Sequence, residues 1–290
     1  MDEARKINTR KIGLRLVLMA LFCGLVYAAI CAYFWAVQGD KIFEPSALIQ
    51  STPDRVGLRY EPVRIVSGSA AERGELSAWW IPSEQSKAPT LLYLHGNYRN
   101  ISHNLEHAAR LHGMGYNLLL VDYRGFGNSS AAKPTEKKVY EDAAAAWDYL
   151  VQQRHVPAAQ IFIYGHSLGG AIAVETALHH ADAGGLIVES SFTSMQAMGE
   201  MNYGYLPISL LLDQRFDSLA KIAGVRVPVL ILHGSWDTRI PVWMGRQLYE
   251  QAAQPKFIHV VEGGEHSNNS GIASVEYQTA LTGFTRRFVR

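Results

Sequence analysis

The 290-residue chain predicts an α/β fold with a mostly parallel central sheet and helices on both faces. Three observations carry this. Short apolar runs alternate with stretches of helical period. The runs are continuous instead of alternating with polar residues, as strands covered on both faces are. One of them, residues 161–164, ends in Gly165-His166-Ser167-Leu168-Gly169 and is followed at once by a small-residue helical pattern beginning at Ala171. Strand, sharp turn and helix are the setting in which a G-x-S-x-G serine projects its hydroxyl above a sheet.

Before this region comes an N-terminal segment of another kind. Residues 1–15 carry Arg5, Lys6, Arg10, Lys11 and Arg15 against Asp2 and Glu3, and residues 16–37 contain no charge. At 1.5 Å per residue that run would span roughly 33 Å, enough to cross a bilayer. Tyr33, Phe34 and Trp35 stand near its far end, where aromatic residues meet the interface. A cleaved signal peptide would have a shorter core and a small-residue cleavage site, and a core helix would not be apolar all round. The expectation is an uncleaved single-pass anchor over 16–37. Residues 1–15 then lie in the cytoplasm and the globular part across the membrane.

Residues 38–59 read as a linker, with Pro45 and Pro53 as breakers. From 60 to 290 the pattern is that of one domain. Strands are expected at 63–66 and 76–81, joined as a hairpin, then at 90–94, 117–121, 161–164, 185–189, 229–232 and 257–261. Helices are expected at 101–112, 136–153, 244–253 and 274–287. Residues 191–227 are longer than a crossover needs and hold Met195, Met198, Met201, Tyr203, Tyr205 and Leu206. They read as a small helical cap, or as a crossover helix with a loose loop.

A net charge of +1 and the lack of a polybasic run beyond residue 40 give no field for nucleic acid. The two cysteines, Cys23 and Cys31, both lie in the apolar N-terminal run. That excludes a disulfide framework, a cysteine nucleophile and a cysteine-based zinc site from the globular part.

A serine nucleophile needs a base, and the base needs an orienting acid. On such a sheet both come from loops after later strands, in the order Ser, acid, His. Ser167 is the expected nucleophile. The strand at 229–232 leads into His233-Gly-Ser-Trp-Asp237, and the strand at 257–261 leads into Glu262-Gly-Gly-Glu-His266. Asp237 is therefore the expected acid, with Glu189 as its rival, and His266 the expected base. Asp122 is expected to brace the loop that begins at Arg124. His103 and His107 have helical i, i+4 spacing without a carboxylate in series, and read with His112 as a helix face, so no metal site is expected. Two oxyanion donors are expected: the N–H of Leu168, just after the nucleophile, and that of Asn97, after His95-Gly96.

Taken together, His95-Gly-Asn, Asp122-Tyr-Arg-Gly-Phe-Gly-Asn-Ser, Gly165-His-Ser-Leu-Gly-Gly, His233-Gly-Ser-Trp-Asp and Gly264-Glu-His make the chain resemble the α/β-hydrolases of serine-nucleophile type. It is similar in particular to the lysophospholipase- or thioesterase-like branch with one N-terminal anchor. The resemblance implies hydrolysis of carboxylic esters or thioesters, small or lipid-derived, through an acyl-enzyme and without cofactor or metal. The same machinery serves serine peptidases, and a silent hydrolase fold could serve as a tethered binding module. Relatives often carry small residues after His-Gly-Asn, whereas this chain has Tyr98-Arg99, which are expected to touch substrate. Three N-x-S/T matches, at Asn100, Asn128 and Asn268, fall in loops around the expected site. A glycan there would obstruct it. The expected setting is thus the periplasmic side of a bacterial inner membrane.

Overall fold

The computed structural model describes residues 2–70 and 72–289, with side chains from Lys11 onward. The side chains of Arg5, Lys6 and Arg10, on which the expected orientation rests, lie outside the described residues.

Eight strands form one sheet: β1 (Glu61–Ser67), β2 (Gly74–Ile81), β3 (Thr90–Leu94), β4 (Asn117–Val121), β5 (Ile161–His166), β6 (Gly185–Glu189), β7 (Val229–Gly234) and β8 (Lys256–Val261). Their spatial order is β1-β2-β4-β3-β5-β6-β7-β8. The β1–β2 and β2–β4 pairs are antiparallel and all others parallel. Leu94 pairs with Val121 and Gly165, and Glu189 with His166 and Leu232. Val261 pairs with Gly234, so the carboxyl ends of β3 to β8 reach the same edge, and every loop carrying an expected site residue leaves from it.

The apolar runs are continuous because both faces are covered. Leu92, Leu94, Ile163, Val188 and Ile231 point to one core with Ala143, Ile172 and Met244. Their neighbours Leu91, Tyr93, Phe162, Ile187 and Leu230 point to the other with Ala108, Leu111, Tyr277 and Leu281. The helices that cover the first face are α3 (Glu136–Asp148), α4 (Leu168–His179), α7 (Ser218–Ile222) and α8 (Val242–Gln251); α2 (Leu105–Gly113) and α10 (Ser274–Phe288) cover the second. A short α9 (Asn269–Ile272), absent from the sequence reading, precedes α10.

Two segments differ from expectation. The N-terminal helix α1 (Asp2–Ile42) runs past Val37 and takes in the first residues of the expected linker. Its stretch Lys11–Ile42 is long and apolar enough to cross a membrane. After it the chain is packed down. Ile42, Phe43 and Leu58 are buried, and the Phe43 ring lies 6.4 Å from Phe126 and 6.0 Å from Phe216. Glu44–Pro45 pairs in parallel with Tyr98–Arg99, and Asn100 Nδ2 donates to the carbonyls of Ser46 and Leu48. Prolines interrupt regular structure here, but the buried apolar side chains hold the chain against the domain.

The segment 191–227 contains both of the structures considered for it. α5 (Met195–Asn202) and α6 (Ile208–Leu211) make a small cap, while α7 packs against α4 and α8 as the crossover. Ser194 and Asp217 cap α5 and α7, accepting from the N–H groups of Ala197 and Ala220 at 3.1 Å each.

Candidate active site

Ser167 stands between β5 and α4 with φ 57° and ψ −124°. A residue with a Cβ rarely adopts this conformation, and holding one there costs about 1–3 kcal/mol. The surroundings leave it no alternative. Its N–H donates to the Glu189 carbonyl at 2.9 Å, and its carbonyl accepts from Gly170 N–H at 2.9 Å and Ser191 Oγ at 2.7 Å. Strand and helix also crowd together. A Cβ on Gly165 would overlap the Gly169 carbonyl, and one on Gly169 would overlap the Leu94 carbonyl. The small residues of the motif are what allow the turn to close.

The turn aims the serine hydroxyl at His266. Ser167 Oγ donates to His266 Nε2 at 3.0 Å, and His266 Nδ1 donates to Asp237 Oδ2 at 2.8 Å. The other oxygen of Asp237 accepts the N–H groups of Arg239 (3.0 Å) and Ile240 (2.9 Å). Burial pushes the Asp237 carboxyl up. The His233 and His266 rings and the Ile240 N–H outweigh it and hold the group well below the usual carboxylate range. Asp237 is thus a fixed anion that orients the imidazole.

The rival carboxylate, Glu189, faces elsewhere. It is buried below the serine turn, where it accepts from Tyr164 Oη, from Tyr277 Oη at 2.6 Å and from Asn269 Nδ2 at 3.0 Å. Burial raises its carboxyl. The imidazoles of His107 and His166, with the two phenol donors, bring it below the usual range. His166 has its own part in this floor. Burial lowers it to about 4, so it is neutral at pH 7, and its Nε2–H donates to the His266 carbonyl at 2.8 Å. It thereby fixes the backbone of the residue that faces the serine. The sequence reading missed this layer, which joins residues up to 113 positions apart.

On the opposite side the loop after β3 approaches closely. A Cβ on Gly96 would lie 3.3 Å from Ser167 Cβ and 3.7 Å from its Oγ. Asn97 follows, held by its carbonyl to Glu44 N–H (2.9 Å) and by its Nδ2 to the Ile42 carbonyl (2.8 Å). Among the described residues no protein group accepts from the backbone N–H of Asn97 or of Leu168. Asp122 braces this side through Oδ1, which accepts Ile101 N–H at 2.8 Å, and lies against the loop that begins at Arg124, where its Oδ2 fills the place a Cβ on Gly127 would take; the Arg124 side chain itself is held by Asp142 and Glu141.

These groups open into a cavity of about 1130 Å³. Asn97, Tyr98, Ser167, Leu168 and His266 line it, together with Met195, Met198, Tyr203 and Leu206 of the cap segment. Arg99 is not among the lining residues; its guanidinium stacks 4.9 Å from the centre of the Tyr98 ring. Phe34, Gln38, Lys41 and Ile42 of α1 also line the cavity, which the sequence reading did not anticipate. The i, i+4, i+8 spacing of Phe34, Gln38 and Ile42 was the available signal, since it puts three residues on one helix face. The histidines of the α2 region diverge. The His103 ring meets Tyr98, His107 meets Tyr164, and His112 Nε2 donates to the Pro82 carbonyl at 3.0 Å.

This sheet order, with a serine turn at its centre and later loops converging on it, is that of an α/β-hydrolase. The chain belongs to the α/β-hydrolase family. The family described as serine aminopeptidase, S33 matches residues 85–220. The protein Rv2307c of Mycobacterium tuberculosis, itself uncharacterized, is 34% identical over 84% of this chain and 85% of its own. Lysophosphatidylserine lipase ABHD12 of Danio rerio is also 34% identical, over 62% of this chain, which spans about half (52%) of that longer protein. Among solved structures, the Pyrococcus furiosus esterase Pf2001 superposes with a TM-score of 0.69 at 20% identity, covering 86% of this chain and 99% of the esterase. The family is one of hydrolases, and its match supports hydrolase activity for this chain.

Proposed function

We propose that the protein is a membrane-anchored serine hydrolase of apolar carboxylic esters or thioesters. The observation that carries this reading is the chain of hydrogen bonds from Ser167 through His266 to Asp237 at the floor of a cavity with an apolar cap. In the first step Ser167 Oγ bonds to the acyl carbon while His266 Nε2 takes the hydroxyl proton. The carbonyl oxygen becomes an oxyanion held by the N–H groups of Leu168 and Asn97. Collapse breaks the bond to the alcohol or thiol, which leaves with the proton from His266. Water then repeats the sequence and releases the acid, restoring Ser167. Asp237 stays ionised throughout and steadies the imidazolium. Tyr98 flanks the entrance, with Arg99 behind it.

The test uses the full chain in detergent against acyl esters and thioesters of graded length, with an aminoacyl amide beside them. Turnover of the esters, covalent labelling by a fluorophosphonate, and loss of both in Ser167→Ala are expected, the rate falling by about 10³-fold or more. Preference for the amide would move the protein to the aminopeptidases after which its matching family is described. No labelling and no turnover of any member would leave a silent binding module.

The apolar helix would anchor the protein with residues 1–15 in the cytoplasm, because Arg5, Lys6, Arg10, Lys11 and Arg15 are concentrated there. A reporter fused after Arg290 that works only outside the cytoplasm should then be active. Activity of a cytoplasm-only reporter at the same position would reverse the orientation.

A further inference from the structure

The apolar helix does more than precede the domain. From Tyr27 to Gln38 it is bonded to the cap along its length. Tyr27 Oη donates to the Tyr205 carbonyl at 2.9 Å, and Trp35 Nε1 to Asp213 Oδ2 at 3.1 Å. Gln38 Nε2 donates to the Leu211 carbonyl at 3.1 Å, while its Oε1 accepts Asp213 N–H at 2.8 Å. The Phe34 and Tyr203 rings stand 5.3 Å apart, and both line the cavity. Eleven residues of helix rise about 16 Å. The cap therefore reaches well into the length of helix that a bilayer would cover. Its outer surface suits that depth: Met201, Tyr205 and Leu210 are 44%, 63% and 83% exposed. Leucine and tyrosine left open on a cap would be a liability in water; Tyr205 stands at Tyr27 of α1, and the helix that carries Leu210 packs on α1.

We propose that the tip of the cap is immersed in the leaflet next to the domain, and that the cleft between α1 and the cap is a lateral port. The apolar tail of a bilayer-resident ester enters it past Phe34 and lies against Met198 and Tyr203, with its carbonyl at Ser167. The anchor helix is then a wall of the binding site, and substrate need not leave the membrane to reach it. This deepens the proposed function and rests on it for the chemistry, but the immersion of the cap stands on geometry alone.

The test separates the two. In phosphatidylcholine vesicles, the full chain carrying Leu210→Cys with Cys23→Ser and Cys31→Ser is spin-labelled at residue 210. Immersion predicts that the nitroxide collides more with oxygen than with a water-soluble nickel chelate. The reverse order overturns the proposal, and so does shielding from both, which would mean a second copy of the chain on this face. This readout holds whether or not the protein hydrolyses esters. For the port, Leu210→Asp should lower turnover of a long-chain ester embedded in the vesicles by about tenfold or more, since an aspartate resists burial in hydrocarbon. A soluble acetyl ester should be cleaved within about twofold of the wild-type rate, as residue 210 is not in the cavity. An embedded-ester rate kept within about twofold of wild type, or an equal proportional loss on both substrates in the folded variant, overturns the port. Should the variant lose both activities through misfolding, Leu210→Asn serves as the milder substitution with the same two expectations.

Discussion

Ser167 is held in a strained conformation, and that conformation makes a measurable statement. At φ 57° and ψ −124° glycine is at ease and alanine is not. Ser167→Gly and Ser167→Ala should both be inactive, but the glycine variant should be the more stable of the two. The relief of about 1–3 kcal/mol of strain is offset by about 0.5–1 kcal/mol of added chain entropy, leaving about 1 kcal/mol. Denaturant midpoints of the two variants check this, and a glycine variant less stable than the alanine one would mean that the turn is not strained. The serine was legible because its motif is local: five consecutive residues between an apolar run and a helical pattern. Asp237 and His266 were legible by chain order, each following an apolar run. The layer beneath them was not. Tyr164, Glu189, Asn269 and Tyr277 meet only once the sheet is built, and each alone resembles an ordinary core or loop residue.

At the scale of elements, the strands were read almost to the residue while the segments around the cavity were not. A strand buried on both faces declares itself by an unbroken apolar run, and its ends are set by glycine, proline or polar residues. β3, β4 and β6 have such runs. The cap and the helix that supports it follow another logic. α5 and α6 are short: Ser194 caps α5, which packs on α6, and α6 is held by α1 across 173 residues. Gln38 is the informative case. In the sequence it marks the end of an apolar run and looks like the start of a linker. In the folded chain it accepts and donates to the cap backbone, so helix, cap and cavity wall are one unit. The breakers Pro45 and Pro53 likewise signal irregular backbone without saying whether it is loose. Here Phe43 and Leu58 are buried, and the irregular backbone is packed.

Several ionisable groups lie in the interior, and one pair of them should leave a clear mark on how stability depends on pH. His95 and Asp122 are both fully buried beneath the loop that faces Ser167, with His95 Nε2 3.5 Å from Asp122 Oδ1. Burial raises Asp122 to about 7, opposed by the Ile101 N–H, and lowers His95 to about 4, opposed by its bond to the Gly96 carbonyl. The signs are opposite. Asp122 is raised on folding, so its contribution is full below about pH 4 and is lost as pH rises through about 7. His95 is depressed on folding, so its contribution is full above about 6.5 and is lost as pH falls through about 4. Between those limits the two slopes largely cancel. Asp122→Asn removes one of them. The difference in unfolding free energy, variant minus wild type, should therefore grow between pH 5 and 8, because only the wild type must ionise a buried carboxyl or hold its proton. At about 1.4 kcal/mol per unit the growth is on the order of 2–3 kcal/mol. Urea unfolding of both proteins in the same detergent at pH 5 and pH 8 measures it. An unchanged difference would mean that Asp122 ionises as an ordinary aspartate, and that the loop carrying Asn97 rests on a charge instead of a neutral pair.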